Sequence, residues 1–245
     1  MQARVARWFR PIVAGSALAL TSAVAATAFA ENVGEATRVQ RFAYQTPPQL
    51  TTKAPLYRLD PVVQNARLET VPSGALEVTF TDGSRLTLGS ASTVVVDNFV
   101  YGGAQGAGGQ TLKMTRGLFR FVSGAMPKDQ VKLQTPRVSI GIRGTTVKLK
   151  VPEEEGEEQT VFFEQGAGFI DNGKGQIVPM GEGDMVKIAP DGTIGTPENT
   201  KWSAGDESVD FGLNPFGQKN HGAEGGSGGS DGAGSSGGND SGQRD

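Results

Sequence analysis

The chain has 245 residues, a formal net charge of −3, 36 glycines, one histidine and no cysteine. An acidic protein is repelled by phosphate backbones, so nucleic acid is not an expected partner. Without cysteine there is no disulfide framework, no thiolate zinc site and no cysteine nucleophile, and stability must come from a packed core.

Residues 1–30 begin with Arg4, Arg7 and Arg10, pass through an apolar run rich in Ala, Val and Leu, and end on Ala28-Phe29-Ala30. That order predicts a secretory signal peptide cleaved before Glu31. Ser16, Thr21, Ser22 and Thr27 dilute the run, which favours a cleaved leader over a retained membrane anchor. Cleavage removes three basic residues and no acidic one, which moves the net charge from −3 to −6. It leaves a chain without a membrane span, in the periplasm or outside the cell. Residues 31–65 hold Pro47, Pro48, Pro55 and Pro61, which withhold donors and prevent helix, so an extended or irregular lead-in is expected.

Residues 66–197 read as one β-rich block. Leu76-Glu77-Val78-Thr79-Phe80 alternates, Asp82-Gly83 supplies a two-residue hairpin turn, and Arg85 to Leu88 returns in the same rhythm. Short strands follow at Thr93–Val96, Phe99–Tyr101, Leu112–Met114, Leu118–Val122, Val131–Leu133, Val138–Ile142 and Val147–Val151. In the last of these, Val147, Leu149 and Val151 share one face while Lys148 and Lys150 share the other, taken as exposed. Val161–Phe163, Gly168–Ile170, Gln176–Val178 and Met185–Ile188 complete the series. No stretch has a helical period, so the fold class is all-β: a β-roll, an irregular β-solenoid or a sandwich of short strands. Residues 198–245 read as a linker and a Gly/Ser-rich C-terminal tail, too poor in apolar surface to offset its ordering entropy and expected to be disordered.

The succession of LEVTFTDGSRLTLGSASTVVVDNFVY (76–101), KMTRGLFRFVSG (113–124), VKLQTPRVSIGIRGTTVKLKV (131–151) and TVFFEQGAGFIDN (160–172) resembles the FecR domain over roughly residues 70–190. The pieces that carry the resemblance are Asp82-Gly83-Ser84, Gly117 with Phe119, Thr135-Pro136 and Ile142-Arg143-Gly144-Thr145. The resemblance implies a domain beyond the inner membrane that receives a signal through protein contacts. Relatives with the full regulator architecture carry a cytoplasmic anti-sigma segment ahead of a transmembrane helix. Ten residues precede the apolar run here, too few for such a module, so direct transcriptional control is not expected.

Individual residues support structural readings more than chemical ones. The family-motif positions Asp82, Gly83, Gly117, Pro136, Gly141, Arg143, Gly144 and Thr145 are expected to shape the fold. Arg143 suits an anion receptor, but its place between Gly141 and Gly144 favours a strand corner where its side chain bonds carbonyls or an acid such as Asp82 or Asp97. The acidic run Glu153 to Glu158 lacks the ligand order of a calcium loop and reads as a solvated hairpin tip. Tail residues 225–231 fail the period of a calcium β-roll. His221, the only histidine, borders the tail, where a triad or metal site would lack support. Acids are plentiful, yet nothing singles out a glycosidase-type pair. Phe119, Phe121, Phe162, Phe163 and Phe169 read as core. No catalytic residue, metal site or cofactor is expected. The chain reads as a non-enzymatic binding module with an envelope protein as partner and, as the alternative, a glycan-binding or matrix-associated structural role.

Overall fold

The structure, a computed structural model, describes residues 31–102, 108–127 and 129–202. The expected signal peptide, the Gly/Ser/Asp tail and His221 lie outside the described residues. Within them the chain is all-β, and no helix is long and apolar enough to cross a membrane. The strands are β1 (Asn32–Gln40), β2 (Ala43–Thr46), β3 (Ala54–Leu56), β4 (Pro61–Val63), β5 (Arg67–Thr70), β6 (Ala75–Phe80), β7 (Arg85–Leu88) and β8 (Thr93–Val100). There follow β9 (Gly109–Val122), β10 (Val131–Gln134), β11 (Ser139–Val151), β12 (Gln159–Asp171), β13 (Ile177–Met180), β14 (Asp184–Ile188) and β15 (Glu198–Asn199). All are joined by hydrogen bonds into one mixed sheet.

Three long strands organise that sheet, where the sequence suggested pairs of short ones. Leu112–Met114 and Leu118–Val122 are both parts of β9; the runs at 138–142 and 147–151 fuse in β11; those at 161–163 and 168–170 fuse in β12. Each long strand changes partners halfway. The first half of β9 pairs with β8 and, in parallel, with β10, while its second half pairs with β7 and β11. β12 likewise pairs with β14 through Gln159–Phe162 and with β13 through Gly168–Asp171.

Glycine explains why these strands bend rather than end. Gly117 sits at the β9 corner with φ +106°, where a Cβ would lie 2.2 Å from Ser92 Oγ. Gly144 adopts φ +66° where the β11–β12 register shifts between Arg143 and Thr146. A residue with a Cβ rarely adopts that conformation, so glycine turns the strand while the ladder resumes beyond it. Glycines that look like stops in the sequence are therefore corners.

The bent sheet folds over one apolar cluster. Leu76, Leu86 and Phe119 on one half and Leu68, Val94, Leu112 and Ile140 on the other are all fully buried in it. Phe80 of β6 stacks on Phe99 of β8 with ring centroids 5.3 Å apart, a direct contact between the halves. At one margin the Gln45 side chain acts as a backbone substitute. Its Nε2 donates to the Pro61 carbonyl (3.1 Å) and its Oε1 accepts from the Val63 amide (3.1 Å), which ties β2 to the edge strand β4.

Two boundaries and one turn differ from the sequence reading. Residues 31–65 are extended but not separate from the block: β1 pairs with β6 and β2 with β5, and Val33, Ala36, Ala43, Leu56 and Val62 enter the core. The prolines sit where a missing donor costs little, Pro55 on β3 and Pro61 at the start of β4. At the other end β15 pairs with β14, and Trp202 is buried against Phe162 (5.9 Å between centroids), so packed structure continues to residue 202. Finally, the turn at Asp82-Gly83 is a three-residue loop. The Gly83 amide donates to the Phe80 carbonyl (2.9 Å), the Phe80 amide donates to the Ser84 carbonyl (2.9 Å), and Gly83 takes φ +79°.

Candidate functional site

Asp82 is buried, with its acceptors engaged. Its Oδ1 accepts from the Ser84 amide (3.0 Å) and hydroxyl (2.6 Å), and its Oδ2 accepts from the Met126 amide (3.3 Å). Its carbonyl accepts from the Ala125 amide (2.8 Å). The same 123–126 segment reaches the β11 corner. Ser123 Oγ accepts from the Thr145 amide (2.8 Å) and donates to the Thr145 carbonyl (2.9 Å). Thr145 Oγ1 accepts from the Arg143 amide (3.1 Å) and donates to the Ala167 carbonyl (2.9 Å) on β12. The 123–126 segment thus links Asp82 at the β6–β7 turn to Thr145 at the β11 corner, with Gly83 and Gly144 as the chain neighbours whose positive φ makes those two bends.

Gly117 and Pro136 lie elsewhere. Beside Gly117, Ser92 Oγ accepts from the Leu118 amide (3.0 Å) and donates to its carbonyl (3.2 Å), bracing the bend. Pro136 occupies a tight turn closed by Thr135 Oγ1, which accepts from the amides of Arg137 (3.3 Å) and Val138 (3.1 Å). The sequence reading missed Ser92 and Ser123, because a serine in a strand-and-turn pattern gives no sign of which backbone it will bond.

Arg143 departs from its expected pairing. Its residue is exposed, and its guanidinium forms neither a hydrogen bond nor an ion pair among the described residues. Asp82 is taken by Ser84 and Met126, and Asp97 by Lys113 at 2.9 Å. Gly141 and Gly144 set the backbone here; the arginine side chain takes no part in that corner. Phe169 also differs. Phe119, Phe121, Phe162 and Phe163 are buried, but Phe169 is 38% exposed and its ring covers Gly141, where a Cβ would come within 2.4 Å of it.

The second face of β11 is covered where exposure was expected. Lys148 is only 7% exposed; its Nζ meets Glu164 Oε1 at 2.9 Å and lies 6.0 Å from the centre of the Phe162 ring. Arg120, the cross-strand neighbour of Lys148, bonds Glu164 Oε2 through Nη2 (2.9 Å) and Nε (3.0 Å). Leu118, Phe162, Met185 and Trp202 form a small apolar cluster on this side. A lysine whose stem packs on such a cluster is withdrawn from water, which alternation alone does not show. Burial works to raise the Glu164 carboxyl, but Lys148 and Arg120 together overcome it and hold the group below its ordinary value of 4.5.

The acidic run does form the β11–β12 connection, and it is braced. Arg137 donates to the carbonyls of Glu155 (2.7 Å) and Glu157 (2.6 Å), and at 3.5 Å to that of Ile188. Glu153 pairs with Arg116 and Glu158 with Lys187. Among the described residues no three of His, Cys, Asp and Glu are grouped to hold a metal ion.

With that geometry in place, residues 66–175 match the family model described as FecR protein. No curated protein matches the chain. Two crystal structures of a protein described as an anti-sigma factor from Parabacteroides distasonis ATCC 8503 are similar at 14% identity, with TM-scores of 0.46 and 0.45. Each similarity covers 55% of this chain and 60% of that one, so the chain spans less than two thirds of those proteins.

Proposed function

We propose, for a chain that carries a FecR domain at residues 66–175, that it is an exported, non-enzymatic module which binds another protein of the cell envelope and senses or relays a signal through that contact. The family match is the observation that carries this reading. The geometry is consistent with it. Asp82, Gly117, Gly144 and Thr145 are spent on corners and turns, while the Arg143 side chain stands on the outer surface, where a partner is met.

The test is photo-cross-linking in the native cells. A photo-reactive residue replaces Tyr57 or Ile177, which are 65% and 63% exposed, whereas a probe at Lys148 would sit inside the fold. The expected result is one protein captured reproducibly and lost when excess unlabelled protein competes. Capture of glycan-bearing material, or of self-adducts alone, would refute the proposal and favour a wall-binding or assembling role.

A further inference from the structure

Gln159 opens β12 on the inward face it shares with Val161 and Phe163. It is fully buried, yet neither its Oε1 nor its Nε2 has a hydrogen-bond partner among the described residues. A buried amide without partners forfeits its hydration and gains nothing in return. Gln159 also lines a cleft of about 410 Å³ between the acidic β11–β12 connection and the Thr135–Val138 turn.

The cleft has a defined chemistry. Pro136, Pro152 and Pro190 contribute apolar wall without an amide donor, suited to an aliphatic stem. Glu154 and Glu155 stand at its rim. Arg116 takes Glu153 and Lys187 takes Glu158, which leaves the Glu154 and Glu155 carboxylates without an ion-pair partner among the described residues. Arg137 is the other charge here, and its donors are directed at the carbonyls of Glu155, Glu157 and Ile188. Because Arg137 holds the loop by its backbone, the carboxylates are presented without a large ordering cost on binding.

We infer that this cleft binds an extended, basic segment of a protein partner, with a Lys or Arg stem against the prolines, its cationic head at Glu154 and Glu155, and an amide of the segment paired with Gln159. A simple cation satisfies the carboxylates but leaves Gln159 Nε2 without an acceptor. An amide offers both donor and acceptor, and a peptide carries it beside the cation. This rests on the protein-binding reading above and names a site for it.

The test uses the full exported chain and a library of blocked hexapeptides with Lys or Arg at the third position, against the same library with norleucine there. Spermidine and calcium chloride serve as small-cation controls. Binding is followed by amide NMR, including the side-chain NH2 signals of Gln159. The basic library is expected to shift those signals and the loop amides, and the norleucine library is not. Glu154→Gln with Glu155→Gln should weaken binding by up to about 25-fold, at up to about five-fold per exposed charge. Gln159→Met removes the orphaned amide at similar volume, so it should leave the urea midpoint unchanged or higher while abolishing the peptide-induced shifts. A lowered midpoint would mark Gln159 as a structural residue and overturn the inference. So would identical shifts with spermidine or calcium, or none with the basic library. If the Tyr57 cross-link survives Glu154→Gln with Glu155→Gln undiminished, this site falls while the proposed function stands. If the cross-link captures no protein, it is the proposed function that falls.

Discussion

Replacing Glu164 by glutamine removes the charge that Lys148 and Arg120 share while nearly preserving volume. The carboxylate receives three charge-assisted contacts at 2.9 to 3.0 Å. Breaking a fully buried ion pair on one side costs about 3 to 5 kcal/mol, because the remaining charge is left desolvated. Here the Lys148 side chain is 9% exposed, but those of Arg120 and Glu164 are 26% and 31% exposed, so water reaches two of the three groups. Glutamine also keeps one acceptor, and the expected loss at pH 7 is therefore about 2 kcal/mol. The folded-state pKa of Glu164 is depressed. Its contribution is therefore complete above the unfolded value near 4.5 and is lost as pH falls through the lower folded value. Urea unfolding of wild type and Glu164→Gln between pH 7 and pH 2.5 should show a gap that narrows only in the acid range. A gap under about 0.5 kcal/mol at pH 7, or one of equal size across the series, would refute the argument.

Three further outcomes are expected. Gly144→Val should destabilise by about 1 to 3 kcal/mol, since φ +66° is strained for a β-branched residue; an unchanged thermal midpoint would show that the corner tolerates a side chain. Asp82→Ala should cost about 2 to 3 kcal/mol in urea unfolding, because it takes the acceptor from the Ser84 and Met126 amides and leaves the buried Ser84 hydroxyl only its longer contact with Gln110; wild-type stability would mean water replaces the carboxylate. Trp202→Ala should cost about 2 kcal/mol, less than a central aromatic, since it packs in the small outer cluster with Phe162 and Leu118; no change in chemical-denaturation midpoint would show that the packing there is incidental.

Much of this was legible because a strand's period of two is local. Leu76, Val78 and Phe80 and then Leu86 and Leu88 declare one buried face from their own alternation, and all are buried. The order of the FecR motifs could likewise be read without coordinates. What alternation lacks is knowledge of the other face. Lys148 alternates like a surface residue but is covered, because Phe162 on the adjacent strand and Trp202, 54 positions later, pack on that side. The side chain of Arg143 differs from expectation for a related reason: its flanking glycines mark a corner, but nothing local says which acids other groups will occupy. Nor could the orphaned amide of Gln159 be read, since lack of a partner belongs to the whole fold.

The sequence by itself therefore determined the all-β class, the places where strands run, and the residues that bend the chain, each set by the properties of a few neighbouring residues. Tertiary structure alone decided that pairing continues through glycines 117 and 144 to make single long strands, that residues 31–65 join the sheet, and that the acidic connection is braced over a cleft. Those outcomes depend on pairing between residues far apart in the chain, and the energy of such a pairing is not written at either position.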